Sequence, residues 1–307
     1  MKKIPLNLIL PLILSCLIIA PATAHAEVTV TDGLGRTVEV QERPQRIVTT
    51  IASTTEIALD LGLEEKVVGV PASIQFLTYV PKLQSIAEEK EKVGGYDLSL
   101  EKIAALEPDL VLVDSGTQAD VVEDIQELGT VVYAAGGKDL GEVQESILDI
   151  GVLTGTLRRA REIVGEMVHK QIRLESAVQD LDRKKKTFYV LSPEMYTAGK
   201  NTLVGQILQM AGLENVFADI SGFRPVNTEE VIDRDPELII GNEDMGLSVE
   251  DLETQLGLDG VRAVEEEQVI FLSSAENSMI DQPGTKIVDG AIKLFERVYE
   301  TKVNIPE

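Results

Sequence analysis

Midway along the chain, residues 156–185 run for thirty positions with no proline and only one glycine, Gly165. Within this stretch, apolar residues recur at Leu157, Ala160, Ile163 and Val164, Met167 and Val168, Ile172, Ala177 and Val178, and Leu181. That is the spacing of one buried stripe on a helix. At about 1.5 Å per residue, such a helix is a rod of roughly 45 Å. The basic run Arg183 to Lys186 suits its C-terminus, where cations meet the negative end of the helix dipole. On both sides of the rod the grammar changes. RIVTTIA (46–52), KVVGV (66–70), DLVLV (109–113) and TVVYA (130–134) are short, β-branched and bounded by polar or turn residues. TFYVL (187–191), ELIIG (237–241) and VIFLS (269–273) repeat the pattern after the rod. Helical stretches such as TTEIALDLG and SLEKIAAL separate them, and β-α-β alternation predicts mostly parallel sheets. The sequence therefore predicts an N-terminal α/β lobe over 27–153, a connecting helix over 154–186 and a C-terminal α/β lobe over 187–307.

Residues 1–26 read as a signal peptide. Lys2 and Lys3 precede an apolar run from Leu6 to Ala20, and Ala24-His25-Ala26 offers a small-x-small cleavage site. The run, interrupted by Pro11, is too short for a good membrane span. A rival reading makes Cys16 a lipid-anchored N-terminus. Removing the signal takes away the only cysteine and leaves His169 as the only histidine, so the mature chain cannot form a disulfide or a His/Cys zinc site. The formal net charge of −24 becomes −26 without Lys2 and Lys3, a surface that repels nucleic acid and anionic lipid. There is no G-x-S-x-G elbow and no phosphate-binding G-x-x-x-x-G-K-[ST] loop. Gly33-Leu34-Gly35 belongs to a hairpin turn between VTVTD and RTVEV and lacks the third glycine of a dinucleotide fingerprint. No catalytic residues, resident metal or cofactor are expected. His169 falls at a mid-rod position, where a surface or packed histidine is the simpler reading.

The two halves echo each other. Residues 95–113 read GYDLSLEKIAALEPDLVLV, and residues 222–240 read GFRPVNTEEVIDRDPELII. With one residue inserted before the glutamate, Glu101 pairs with Glu229, Pro108 with Pro236 and Leu110 with Leu238. Cap, glutamate, proline and strand align together, which points to two pseudo-equivalent lobes.

These segments, with TDGLGRTVEV, RPQRIVTTIASTTEIALDLGLEEKVVGV, GVLTGTLRRAREIV, TAGKNTLVGQILQMAGLENVFAD and QPGTKIVDGAIKL, follow one another in a specific order and spacing. In that order the chain resembles the class III solute-binding proteins of ABC importers, which carry ferric siderophores, haem or cobalamin. The resemblance covers nearly the whole chain after residue 26. It implies two Rossmann-like lobes with parallel sheets, bridged by one long rigid helix, with cargo in the cleft between them. It also implies a periplasmic or extracytoplasmic location, an ABC permease dimer with its ATPase as partner, and contact with the membrane only through that permease or an anchor. In the family, glutamates matching Glu101 and Glu229 dock on the two permease subunits. One departure stands out: the family usually has Ser-Pro in the loop after the first strand, where this chain has Ile51-Ala52. The polar groups left in that loop include Ser53 and Thr54.

In open parallel sheets, ligands lie beyond the carboxyl ends of the strands. The corresponding loops hold five of the twelve Phe and Tyr residues: Phe76, Tyr79, Tyr96, Tyr196 and Phe223. Loop aromatics suit a flat or greasy cargo, although some of them can simply pack a loop down. The second-lobe loops are acidic, with Lys200 and Arg224 as the cations set against six carboxylates. A small, highly charged anion needs several converging donors, so a neutral or cationic chelate fits better. Arg224 is the best single anchor for a carbonyl or carboxylate, its alternative role being a surface salt bridge. The expected ligand-binding residues are Ser53, Thr54, Phe76, Tyr96, Tyr196, Phe223 and Arg224. A ferric siderophore is the first-choice cargo, with a corrinoid next and haem less favoured. Two other classes compete: an exported α/β hydrolase with an unfamiliar site, and a sensor module on the same lobes.

Overall fold

The computed structural model of the chain describes residues 27–76, 79–95 and 97–305. The expected signal segment and Cys16 lie outside the described residues. The chain opens with an antiparallel hairpin of β1 (Val28–Thr31) and β2 (Thr37–Val40). Asp32 ties its turn by accepting from Leu34 N and Arg36 N at 3.1 and 2.9 Å, the local bonding that makes aspartate a turn residue.

The first lobe is built on β3 (Ile47–Thr49), β4 (Val67–Val70), β5 (Glu91–Lys92), β6 (Leu110–Asp114) and β7 (Val131–Ala135). They form a five-stranded sheet in the order β5-β4-β3-β6-β7 with every pair parallel. The crossovers carry α1 (Ala52–Asp60), α2 (Pro81–Glu89), α3 (Leu100–Ala105) and α4 (Val122–Glu127). Two longer helices follow, α5 (Leu140–Thr154) and α6 (Leu157–Gln179), with Gly155 between them in the left-handed region at φ +76°. The second lobe contains β8 (Lys185–Tyr189), β9 (Tyr196–Ala198), α7 (Leu203–Met210), β10 (Leu213–Asn215), β11 (Phe223–Pro225), α8 (Thr228–Arg234) and β12 (Leu238–Asn242). It ends with α9 (Val249–Thr254), α10 (Arg262–Glu265), β13 (Val269–Leu272), α11 (Ser274–Asp281) and α12 (Ile287–Tyr299). Its main sheet is parallel, in the order β10-β8-β12-β13, and β9 and β11 form a separate antiparallel pair.

The connecting helix is shorter than its sequence pattern. α6 has 23 residues and stops at Gln179, capped by Asp180. Lys185 and Lys186 do not end it: they enter β8, where Lys185 pairs with Leu213 and Lys186 with Glu214. Strand pairing satisfies backbone groups that a helix end leaves open, and this outweighs the weak preference of cations for a helix terminus. α6 buries Ala160, Ile163, Met167 and Leu174. It lies so close to α5 that a Cβ on Gly151 would fall 2.5 Å from Ala160 Cβ.

Side chains alternate across each sheet, as pleated strands require. Ile47, Leu110 and Leu112 face one way and Val48, Val111 and Val113 the other. The inward set joins α1, α5, α6, α7 and α12 in a single core that runs from Ile47 through Met167 to Ile240 and Phe295. The outward faces have their own smaller cores, one around Val111 and one around Phe188 and Ile239. The two lobes thus share a core along the α6 side.

The repeat is real in three dimensions. Ser99 caps α3 by accepting from Lys102 N, and Asn227 caps α8 by accepting from Glu230 N. Glu107 and Asp235 both take left-handed backbone, φ 44° and 42°, immediately before a proline. The next residue in each lobe reaches back to the neighbouring strand: Asp109 N donates to Arg46 O at 2.9 Å, and Glu237 N to Lys186 O at 2.8 Å.

Candidate binding cleft

A cleft of about 570 Å³ opens where the carboxyl ends of the two sheets face each other. The first lobe lines it with Thr50, Ile51 and Ala52 after β3, Ser73 after β4, Gly95 after β5, residues 114–118 after β6, and Gly137 and Lys138 after β7. The second lobe contributes Asn201 to Val204 around the start of α7, Phe223 on β11, Asp281 at the end of α11, and Gln282 and Pro283 just after it. This is where the strand-end rule places a ligand site in parallel sheets.

Its first-lobe wall is held by side-chain bonds. Gln118 is buried, and its Oε1 accepts from Thr50 Oγ1 at 2.5 Å and from Asp114 N at 3.2 Å, clipping two strand-end loops together. Asp114 Oδ2 accepts from Thr117 N and Thr117 Oγ1, both at 2.7 Å, and from Gly116 N at 3.1 Å, which folds the loop after β6. Within the lining the lobes touch: a Cβ on Gly137 would meet Pro283 Cβ at 2.7 Å.

Asp281 has a distinct environment. Its Oδ2 accepts from Asn277 Nδ2 at 2.8 Å, and Asn277 Oδ1 in turn accepts from the buried Tyr189 hydroxyl at 2.8 Å. Its Oδ1 is shielded from water and has no hydrogen-bond partner. Burial pushes this carboxyl up to about 6, although Gln282 and Asn277 pull it the other way. Nearby, Glu56 on α1 is fully buried beneath the lobe junction. It accepts from Tyr79 OH of its own lobe at 2.6 Å, and from Thr285 Oγ1 at 2.8 Å and Lys286 N at 3.0 Å, two bonds that cross from one lobe to the other. Burial raises its affinity for a proton, and the three donors oppose that shift.

The residues singled out from sequence are distributed unevenly around this cleft. Phe223 lines it and is 54% exposed. Tyr196 and Arg224 sit on the β9–β11 pair beside it, but neither forms its lining. Arg224 Nη2 donates to Glu230 Oε1 at 2.9 Å, so the side chain leans on the capping box of α8. Ser53 and Thr54 do not reach the cleft. α1 begins at Ala52, which turns both into the buried first turn, and Thr54 Oγ1 bonds back to Ile51 O. Thr50, Ile51 and Ala52 stand in the cleft instead. Tyr96 and the side chain of Phe76 lie outside the described residues. The lining charges are Asp114, Lys138 and Asp281, none of them among the expected ligand-binding residues, although Asp281 is one of the six acidic second-lobe loop residues. Lys138 lies in the loop after the strand of TVVYA, where the strand-end rule places ligand contacts. His169 is exposed on α6, far from any such role. Among the described residues no group of three or more His, Cys, Asp or Glu could hold a metal ion, and no helix is long and apolar enough to cross a membrane.

Glu101 and Glu229 stand in the same helical register. Each is the second residue after the cap, on α3 and α8 respectively, and each is exposed. Neither makes an ion pair among the described residues.

Comparison with known proteins agrees with this architecture. The profile of the periplasmic binding protein family matches residues 47–276. The chain is 28% identical over 280 residues to YvrC of Bacillus subtilis, an uncharacterized ABC transporter substrate-binding lipoprotein, covering 89% of this chain and 85% of that one. It is 27% identical over 303 residues to a cobalamin-binding protein of Halobacterium salinarum, covering 92% and 79%. Among solved structures, a possible iron-binding periplasmic solute-binding protein from Staphylococcus epidermidis superposes with a TM-score of 0.71 at 26% identity, over 84% of this chain and all of that one. With two parallel-sheet lobes, one long connecting helix and a cleft between the strand ends, the chain belongs to the periplasmic binding proteins of ABC importers, which capture solutes for transport rather than transform them.

Proposed function

We propose that the cargo of this binding protein is a corrinoid. The observation that carries the reading is the lining of the cleft: Phe223 offers an aromatic face, and two carboxylates, Asp114 and Asp281, stand against the single Lys138. Such a wall disfavours a small polyanion, which would need converging cations. It suits a broad, neutral or cationic molecule that presents N–H donors and a flat apolar face. A corrinoid is a ring fringed with neutral carboxamides, and the Halobacterium salinarum relative that covers most of this chain is a cobalamin-binding protein. A ferric hydroxamate siderophore, the first choice from sequence, is the second reading. The same charge balance favours it, and the Staphylococcus epidermidis neighbour is described as iron-binding. Delivery would be to an ABC permease with its ATPase, with Glu101 and Glu229 as the docking points on the two lobes.

The test is calorimetric titration of the chain with cyanocobalamin, ferrichrome, ferrioxamine B and haemin. One cyanocobalamin per chain is expected. Binding of a hydroxamate complex in its place would move the cargo to the second reading. Silence with all four would overturn the metal-chelate assignment.

A further inference from the structure

We infer that Asp281 selects cargo by its N–H donors, its second carboxylate oxygen accepting a hydrogen bond from an amide or ammonium group of the bound molecule. This rests on the metal-chelate reading of the cleft and adds to it the residue that would discriminate among chelates. Three observations converge. First, Asp281 stands in the cleft wall at the end of α11, where it is followed by Gln282 and Pro283 in the lining. Second, its other oxygen is already engaged: Oδ2 accepts from Asn277, and Asn277 in turn accepts from the buried Tyr189 hydroxyl. Third, Oδ1 is shielded from solvent, and no protein group meets it in good hydrogen-bond geometry, Gln282 standing beside the carboxyl without such a bond. A buried acceptor without a donor is rare and calls for a reason. Two other acceptors of the wall are already committed, since Asp114 Oδ2 binds its own loop and Gln118 Oε1 takes Thr50 and Asp114. The other unpaired buried polar atoms, on Ser53, Gln144 and Ser192, do not belong to the lining. Lys138 shares the cleft but makes no bond to Asp281. A local side-chain adjustment presents Oδ1 to cargo, the scale of change usual in pre-organised sites. A site with a committed acceptor rejects molecules that cannot donate, because the acceptor is then left unpaired.

The experiment compares wild type with Asp281→Asn and Asp281→Ala at pH 8, by calorimetry, with two probes of different donor type. Cyanocobalamin presents amides, and ferrioxamine B presents an ammonium whose N-acetylated form serves as control. For whichever probe binds, affinity should fall by about tenfold or more in Asp281→Ala, the worth of one hydrogen bond to a charged acceptor. If ferrioxamine B binds, wild type should prefer it over the acetylated form, and Asp281→Asn should lose that preference. Near-ultraviolet dichroism checks that both variants fold. A probe that binds all three proteins equally overturns the inference and leaves the cargo reading intact. Failure of wild type to bind either probe overturns the cargo reading, and this inference with it.

Discussion

A carboxyl held away from water favours its neutral form. Asp281 is raised from 3.8 to about 6, chiefly by burial. The charged and titratable groups that sense it are Tyr79 and Tyr189, both themselves pushed upward by burial and so neutral across the working range. Since its folded value lies above its unfolded one, the folded chain binds the extra proton between about 4 and 6. Stability therefore falls as pH rises through that window, and the penalty is complete above it. Two units correspond to about 3 kcal/mol as an upper figure. Asp281→Asn removes the charge and can keep the Asn277 contact. Urea unfolding at pH 7.5 should show this variant more stable than wild type, by on the order of 1–3 kcal/mol, with the gap closing near pH 4. A gap that does not change with pH would mean that the carboxyl is solvated. A buried acid whose charge costs stability is the kind retained for binding. Its acidity was visible in the sequence, but its hydrogen bonding was not, because that depends on Tyr189 of β8 engaging Asn277 one turn earlier on α11. Phe223 was legible from its place in a strand-end loop. Ser53 and Thr54 were misplaced because composition does not reveal that α1 starts at Ala52 and turns them inward.

At the scale of elements, α6 governs how the lobes can move. It is tied to the first lobe by Arg159 Nε donating to Asp60 O at 3.0 Å and to the second by the Lys170–Asp289 ion pair at 2.6 Å. The lobes are also joined directly, through Glu56 with Thr285 and Lys286, and by Leu140 N donating to Gln206 Oε1 at 2.8 Å. Hinge closure would break these bonds and expose the core shared along α6. Small-angle scattering should therefore show the radius of gyration changing by less than about 1 Å when cyanocobalamin saturates the chain. A fall of several ångströms would show that the lobes hinge. The rod itself was legible because a Pro-free apolar stripe is a local property. Its end was not, since the transition at Lys185 is set by pairing with Leu213, nearly thirty residues later. The main strands were legible for the same local reason, as β-branched runs bounded by turns. The two- and three-residue strands β5, β9, β10 and β11 carry too few residues for any period to register.

At the scale of the whole molecule, the duplicated unit fixes two points in space. Glu101 and Glu229 each follow their cap by two residues, on helices whose following turns, left-handed residues, prolines and strands also match. An acidic residue in a first turn favours the helix dipole, and this alone explains either glutamate. It does not explain why both are exposed and free of ion pairs among the described residues in a chain that ties many other carboxylates to arginine or lysine. A permease dimer presents two related surfaces, and two matched charges held at constant separation by α6 and the shared core would meet them together. Charges at a rim set orientation and encounter rate more than affinity. The double variant Glu101→Ala with Glu229→Ala should therefore bind cyanocobalamin as wild type does in calorimetry, because neither residue lines the cleft. Its uptake, measured in vesicles carrying the cognate permease and ATPase, should fall by about tenfold or more at low salt, with each single variant intermediate. Wild-type uptake should weaken as salt screens the two contacts, whereas the residual uptake of the double variant should be less sensitive to salt. Full uptake by the double variant would leave both glutamates with helix stabilisation as their only role.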